Sequence, residues 1–184
     1  MAGACAAQIA HGLGFPCDTY GLASAVATLD AQCAYERLAN ALVPALGGAD
    51  ILSGAGLIGG LAGSLEAAVI DDEMISLMKH IVAGCKVTEE TLAFDVMKEV
   101  ILRDGVFLGE RHTVQQMRKG AIWTPVVSER KTDSAGTGAV GVVARARERA
   151  KEILRTHQVE PLPDDVSEEL DAIMARARRE LIAD

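Results

Sequence analysis

The sequence predicts an α/β fold: an incomplete barrel of the (β/α)8 type, with about three βα units, followed by amphipathic helices. The first observation is a short apolar segment that follows a glycine-terminated helix three times, at 15–20, 49–53 and 106–109. The second is the polar or glycine-rich loop after each segment, and the first two units start about 35 residues apart, as is usual in such barrels. A complete barrel needs about 250 residues, whereas this chain has 184. We therefore expect a sheet with open edges.

The helices that flank these segments carry their own start and stop signals. The chain opens on an alanine-rich helix over 1–11, and no Ser, Thr, Asp or Asn precedes it as an N-cap. Apolar periodicity predicts further helices over 30–46 and over about 64–82. Thr88 is the expected cap of one more helix, which ends at Asp104 and the glycine after it.

The last third of the chain has a different composition, so we divide the chain into 1–120, the partial barrel, and 121–184, a surface loop with two amphipathic helices. Residues 145–157 contain five basic and two acidic side chains, whereas 160–184 contain eight acidic and three basic ones. Opposite charges suit two helices packed side by side. We interpret the arginine-rich segment in this structural way and not as a nucleic-acid site.

Composition argues against several classes of protein. A formal net charge of −8 does not suit a nucleic-acid binder, and no apolar segment approaches the roughly 20 residues that span a bilayer. The four cysteines show no paired metal-ligand spacing, and no signal-peptide pattern is present. We therefore expect a reduced, cytoplasmic protein without a metal site. Aromatic residues make up only 3% of the chain, which is few for a self-sufficient ligand pocket.

Candidate functional residues follow from the predicted strands. In βα architectures, ligands gather at the carboxyl ends of the strands and in the loops that follow them. No Ser-His-Asp set or phosphate loop can be assembled there, so the catalytic residues stay unassigned. The candidates that would face a ligand form three groups, one at the carboxyl end of each predicted strand or in the loop that follows it: Asp18, Thr19 and Tyr20; Ser53, Gly54 and Gly56; and Glu110, Arg111 and His112.

The glycine-rich segment after the second strand has two interpretations. Residues 54–59 fit the pattern GxGxxG, but a dinucleotide site needs a helix that opens at the second glycine and an acidic residue at a strand end about 20 positions on. The predicted helix starts later, near Ser64, and the acids in range lie within it. We favour glycines that let the backbone approach a bulky ligand or a partner chain.

Two further features of the sequence each have more than one interpretation. Asp71, Asp72 and Glu73 lie early in a predicted helix, where the helix dipole favours acids, so we interpret them as solvated and not as a metal or partner site. His112 follows the third predicted strand, and a functional role and capping of the next helix are equally open for it.

Several segments together resemble the C-terminal part of the trimethylamine methyltransferase family. The residues that carry the resemblance, in order and spacing, are 29–36, 48–52, 64–73 and 107–113, with similar features in the tail at 146–149 and 163–166. The resemblance covers nearly the whole chain. The block Val69–Glu73 beside the later Leu-Gly-x-x-His-Thr string is its most specific part.

The resemblance implies a TIM barrel of which this chain is the C-terminal portion, a fragment whose barrel would be completed by a missing N-terminal half. It implies transfer of a methyl group from a methylated amine to the Co(I) centre of a corrinoid that a separate protein carries, so this chain binds no cofactor directly. Some family members use pyrrolysine. This sequence contains none, which favours the pyrrolysine-free branch of the family, whose substrates include quaternary amines such as glycine betaine. Aromatic faces hold such ammonium groups, and Tyr20 and Phe107 are the candidates.

Two other functions remain open on the sequence. The chain is alternatively a non-catalytic or split-barrel subunit that must associate with another chain. It is otherwise a free-standing α/β module that binds a small ligand through the glycine-rich loop.

Overall fold

The structure, a computed structural model, describes residues 1–103, 105–129 and 141–181. These residues fall into two compact units, Met1–Lys151 and Glu152–Asp184. Most of the predicted surface loop beyond Glu129 lies outside the described residues, and so does Asp104, the predicted end of a helix.

The first unit alternates helices with very short strands, and the described chain is a mostly helical mixture of α and β structure. In chain order the elements are α1 (Ala2–Gly12), β1 (Asp18–Tyr20), α2 (Ala31–Leu46), β2 (Ile51–Ser53), β3 (Leu57–Ile58), β4 (Ala62–Gly63), α3 (Leu65–Val82), α4 (Glu89–Leu92), α5 (Phe94–Leu102), α6 (Arg111–Arg118), α7 (Val142–Thr156) and α8 (Asp164–Leu181).

Side-chain caps fix the starts of three of these helices. Asp30 caps α2 and Ser64 caps α3, each by accepting a hydrogen bond from a backbone N–H in the first helical turn. Thr88 caps α4 and forms a reciprocal capping box with Thr91. These starts confirm the predicted boundaries. The single helix predicted after Thr88 is wrong, because Ala93 adopts a left-handed conformation with φ 51° and separates α4 from α5.

Strands β1 and β2 pair in parallel, with Asp18 opposite Ile51 and Tyr20 opposite Ser53. This pairing confirms that the first two βα units share one sheet. The glycine-rich segment, predicted as a loop, contains a small antiparallel hairpin instead: β3 pairs with β4, Leu57 opposite Gly63. We call residues 54–63 the glycine hairpin. Among the described residues no further strand joins either sheet, and no closed barrel is formed.

The third predicted strand, 106–109, is wrong. The residues Phe107–Gly109 form a single 3-10 turn, in which the N–H of Glu110 donates to the carbonyl of Phe107 at 3.1 Å. The hydroxyl of Thr113 donates to the same carbonyl at 2.6 Å. A four-residue apolar segment does not distinguish a strand from a turn. Here the carbonyl of Phe107 is satisfied by these local hydrogen bonds and not by a neighbouring strand.

The core of the first unit lies between the parallel sheet and the helices. α1 and α2 pack against β1, and α2 packs against α3. The opposite face of the sheet is open, because Asp18, Tyr20 and Ile51 are all exposed. The buried centre consists of Leu22, Ala41 and Met78, surrounded by Leu38, Leu42, Leu52, Met74 and Ile75.

In the second unit, α8 is amphipathic and its apolar residues are exposed. Val166, Leu170, Ile173 and Met174 all keep more than a third of their surface accessible. Asp164 and Asp165 lie in its first turn and Arg178 in its last, which is the favourable arrangement for the helix dipole. Within the described residues, no helix is both long and apolar enough to cross a membrane.

Candidate functional site

The carboxyl ends of β1 and β2 meet as the sequence predicts. Tyr20 and Ser53 are register partners, and the N–H of Gly21 donates to the carbonyl of Ser53 at 3.0 Å. The ring of Tyr20 lies over Gly54, with two ring carbons 3.4 Å from the point where a Cβ on Gly54 would stand. An exposed aromatic ring, a hydroxyl and a glycine backbone therefore share one end of the sheet.

The strand alternation separates the three candidates on β1. Asp18 and Tyr20 are exposed, whereas Thr19 is buried. Thr19 Oγ1 is 3.2 Å from the position of a Cβ built on Gly3, so it lies against α1, and it has no hydrogen-bond partner in the described part of the chain. Asp18 and Tyr20 therefore belong to the open face of the sheet, and Thr19 belongs to the helical side.

Gly54 is so closely packed that a larger residue at this position would destabilise the fold. Its φ is +100°, and a Cβ there would lie 2.6 Å from the carbonyl oxygen of Gly21. A side chain would thus meet both backbone strain and a steric clash between the two loops that follow the strands.

Gly54→Ala is therefore expected to lower the free energy of unfolding by about 2 kcal/mol. Gly60→Ala is the matched control, because Gly60 also has a positive φ, +78°, but nothing lies within 4 Å of its Cβ position. We expect the control to lose about 1 kcal/mol, the cost of strain. Urea unfolding of both variants measures the difference, and equal losses would show that the contact with Gly21 is unimportant.

The glycine hairpin is fastened to α2 and α3 by a buried ion pair. Arg37 and Asp71 are 1% and 0% exposed and form two hydrogen bonds, at 2.9 and 2.6 Å. The N–H of Gly56 donates to Asp71 Oδ2 at 2.6 Å, and Arg37 Nη1 donates to the carbonyl of Leu57. The interpretation of Asp71 as a solvated acid is therefore wrong, because its carboxylate is fully paired inside the protein.

The loop after β1 also contacts the glycine hairpin. The N–H of Gly59 donates to the carbonyl of Val26 at 3.3 Å. Ser24 donates to Glu36 Oε2 at 2.6 Å, and this bond, with a second one from Gln32, lowers the pKa of Glu36 below its ordinary value. The loop after β1 and the glycine hairpin are thus joined at the carboxyl ends of β1 and β2, and we call these two segments together the wall.

Glu73 is the second acid of the triplet that is buried. Its carboxylate accepts hydrogen bonds from the consecutive backbone N–H groups of Val126, Val127 and Ser128 and from the hydroxyl of Ser128. Burial raises the pKa of Glu73, but these hydrogen bonds outweigh it and hold the pKa below the ordinary value. Glu73 therefore anchors the segment after α6 to α3, while Asp72 between the two acids is exposed.

The third group of candidates has contacts of its own. Glu110 forms an ion pair with Arg103, and His112 Nε2 contacts the carbonyl of Glu90 at 2.7 Å. Lys119 pairs with Glu90 and lowers its pKa. Glu110 is the N-cap residue of α6 without a side-chain cap, and Arg111, its first helical residue, is exposed. The contact of His112 with α4 is neither capping of α6 nor part of the wall at β1 and β2.

The structure also bears on the GxGxxG pattern. No helix opens at Gly56, and the next helix, α3, begins at Leu65 after the hairpin. Gly56 has a φ of +79° and donates its N–H to Asp71, so that group is not directed at a ligand. This geometry agrees with our rejection of a dinucleotide site.

The cysteines and potential metal ligands complete the inventory of reactive groups. All four cysteines are free, Cys17 and Cys33 in buried positions and Cys5 and Cys85 in exposed ones. Throughout 1–103, 105–129 and 141–181, no group of three or more His, Cys, Asp or Glu side chains is arranged to hold a metal ion.

Comparison with known proteins gives a consistent result over the whole chain. The sequence profile of the trimethylamine methyltransferase family matches residues 1–182. A trimethylamine methyltransferase of Methanosarcina mazei is 32% identical over 179 residues, which are 96% of this chain and 36% of that protein. One from Desulfitobacterium hafniense is 34% identical over 152 residues, covering 82% of this chain and 30% of the relative.

A relative with a different named substrate matches to a similar degree. A glycine betaine methyltransferase of Desulfitobacterium hafniense is 29% identical over 178 residues, 95% of this chain and 37% of that protein. The chain thus spans about a third of the length of the curated relatives it matches. Since the profile match extends over nearly every residue, the chain belongs to the trimethylamine methyltransferase family.

Proposed function

We propose that this chain forms part of a methyltransferase that moves a methyl group from a methylated amine to the Co(I) centre of a corrinoid held by a separate protein. The amine is trimethylamine or a quaternary amine such as glycine betaine, the substrates named for the relatives. The observation that carries the proposal is the wall at the carboxyl ends of two parallel strands, where Tyr20 and Ser53 meet, in a chain that the family profile matches over residues 1–182.

The open face of β1 suits a cationic substrate. Tyr20 is 56% exposed, and an ammonium over an aromatic face gains about 0.5–2 kcal/mol. The carboxylate of Asp18 lies on the same exposed face of β1 and complements the positive charge. These two residues would orient the amine with a methyl group directed away from the sheet.

The corrinoid is a substrate here, the methyl acceptor, and it supplies the nucleophile. Its large flat ring needs a surface that it can approach closely. Gly60, next to Leu61 at the tip of the glycine hairpin, has nothing within 4 Å of its Cβ position, and Leu61 itself is almost fully exposed. The residues present therefore fit a bulky partner, with the hairpin tip as one contact.

We further propose that the chain works with the remaining portion of a larger barrel. It covers about a third of its relatives' length, and the β1–β2 sheet has open edges within the described residues. Open edges accept further strands. The complete site, including the rest of an aromatic cage, would then combine residues of both portions. We place this enzyme in the cytoplasm.

The test is methyl transfer in a reconstituted mixture. This chain is combined with the part of the Desulfitobacterium hafniense glycine betaine methyltransferase that it does not match, and trimethylamine or glycine betaine is supplied with cob(I)alamin. Formation of methylcobalamin is followed by its visible absorbance. We expect transfer that depends on the chain, and no transfer from either amine in any mixture would contradict the proposal.

Within this assay, Tyr20→Leu is expected to reduce transfer by about 2- to 30-fold, the equivalent of losing one cation–π contact. Tyr35→Leu is the matched control, because Tyr35 is a similarly exposed tyrosine, 62% accessible, but lies on α2. It should transfer at the wild-type rate. Equal effects of the two substitutions would remove Tyr20 from the site.

A further inference from the structure

We propose that the buried Arg37–Asp71 ion pair is a positioning device: it holds the backbone of the glycine hairpin at the carboxyl end of β2, where the proposed methyl-transfer site lies. The inference rests on the proposed function for its catalytic consequence. It assigns a role to Asp71, which is the acid of the Asp71–Glu73 triplet that contacts the glycine hairpin.

Arg37 and Asp71 form a bidentate ion pair that is shielded from water. Arg37 on α2 donates from Nε to Asp71 Oδ1 at 2.9 Å and from Nη2 to Oδ2 at 2.6 Å. Both side chains are essentially inaccessible to solvent. A planar guanidinium that meets a carboxylate in this way has a fixed orientation, so its remaining N–H groups point in defined directions.

Each partner makes one further hydrogen bond, and both of these bonds go to the glycine hairpin. Arg37 Nη1 donates to the carbonyl of Leu57, and Asp71 Oδ2 accepts the N–H of Gly56 at 2.6 Å. Asp71 therefore holds the N–H of Gly56, and Arg37 holds the carbonyl of the adjacent Leu57. The hairpin itself pairs only two residues of each strand, which is too little to hold its shape unaided.

Packing of the two helices does not itself require the charges. α2 and α3 also meet through apolar side chains, with Leu38 and Leu42 from one and Met74 and Ile75 from the other around the same core. Buried ion pairs of this kind are often replaceable by apolar residues without loss of stability. What apolar residues cannot replace is the directed contact with the backbone of Gly56 and Leu57.

The first measurement uses the wild-type chain. Hydrogen exchange of the Gly56 amide is expected to be at least tenfold slower than that of Gly60, although both glycines lie in the same hairpin. Gly56 donates to a buried carboxylate, whereas Gly60 is exposed at the tip. Equal exchange rates at the two amides would overturn the proposal without any substitution.

The second measurement uses the double variant Arg37→Met/Asp71→Leu, with Asp72→Asn as the matched control on the adjacent, exposed acid. We expect the double variant to keep its melting temperature within a few degrees, to exchange the Gly56 amide at least tenfold faster, and to leave exchange in the centre of α3 unchanged. In the reconstituted assay its kcat/KM should fall at least tenfold. The control should change none of these.

The outcomes separate the two proposals. Unchanged exchange at the Gly56 amide in a folded double variant would overturn the positioning role. Faster exchange with an undiminished kcat/KM would show that the hairpin position is irrelevant to transfer, which also overturns it. If the wild-type mixture transfers no methyl group while the exchange results hold, the methyl-transfer proposal fails and the positioning of the hairpin stands.

Discussion

Truncation of Arg37 to alanine is expected to lower the free energy of unfolding by about 3–5 kcal/mol, because it leaves the carboxylate of Asp71 buried without a cation. Asp71 is 0% exposed, so its carboxylate is left inside the protein without its cation. The carbonyl of Leu57 would lose its donor as well. Urea unfolding followed by circular dichroism measures the change.

An exposed ion pair provides the control for this prediction. Arg103 pairs with Glu110 while 57% of its side chain is accessible, and exposed pairs contribute about 0–1 kcal/mol. Arg103→Ala should therefore change the free energy of unfolding by no more than about 1 kcal/mol. Similar losses in the two variants would mean that Asp71 is not isolated from water as its burial indicates.

The parts of the fold that the sequence predicted are those with strong local signals. Asp30, Ser64 and Thr88 are good N-cap residues directly before apolar periodicity, and all three are caps in the structure. The parallel pairing of β1 with β2 followed from two glycine-terminated helices that each precede a short apolar segment. Because parallel strands end at the same edge, Tyr20 and Ser53 also came together as predicted.

The third unit failed because its signal was the weakest. Residues 106–109 are apolar but few, and in the described structure Leu108 is 75% exposed, so hydrophobicity there does not report burial. The candidates Glu110 and His112 depended on that strand. Without it they contact Arg103 and Glu90 instead, and only the first two groups of candidates form a common wall.

The buried charges were misjudged because their partners are distant in sequence. Asp71 and Glu73 are two residues apart, about 200° around a helix, so they contact different surroundings. Their partners lie 34 positions earlier at Arg37 and about 53 positions later at Val126. One signal was present: Arg37 lies on the same stripe of α2 as Cys33 and Ala41, which are buried, and an arginine on a buried stripe requires an acidic partner.

Glu73 provides the second large effect, because one carboxylate satisfies several backbone donors at once. Its oxygens accept from the N–H groups of Val126, Val127 and Ser128. Glu73→Gln keeps the shape but presents an amide that cannot accept on one side. Hydrogen bonds to a charged group contribute about 1.5–3 kcal/mol each, and leaving buried donors unpaired has a comparable cost. We expect the variant to lose about 2–3 kcal/mol of unfolding free energy at neutral pH.

The loss should depend on pH in a defined direction. The hydrogen bonds hold the pKa of Glu73 in the folded protein below its ordinary value of 4.5. The stabilisation is therefore fully present above the unfolded pKa and disappears as the pH falls through the folded one. The difference between wild type and Glu73→Gln should be largest at neutral pH and shrink below about pH 4.5. Urea unfolding from pH 7 down to pH 3 measures it, with Asp72→Asn as a control within about 0.5 kcal/mol of wild type at pH 7. A difference that stays constant over this range would mean that Glu73 does not bind the segment as a carboxylate.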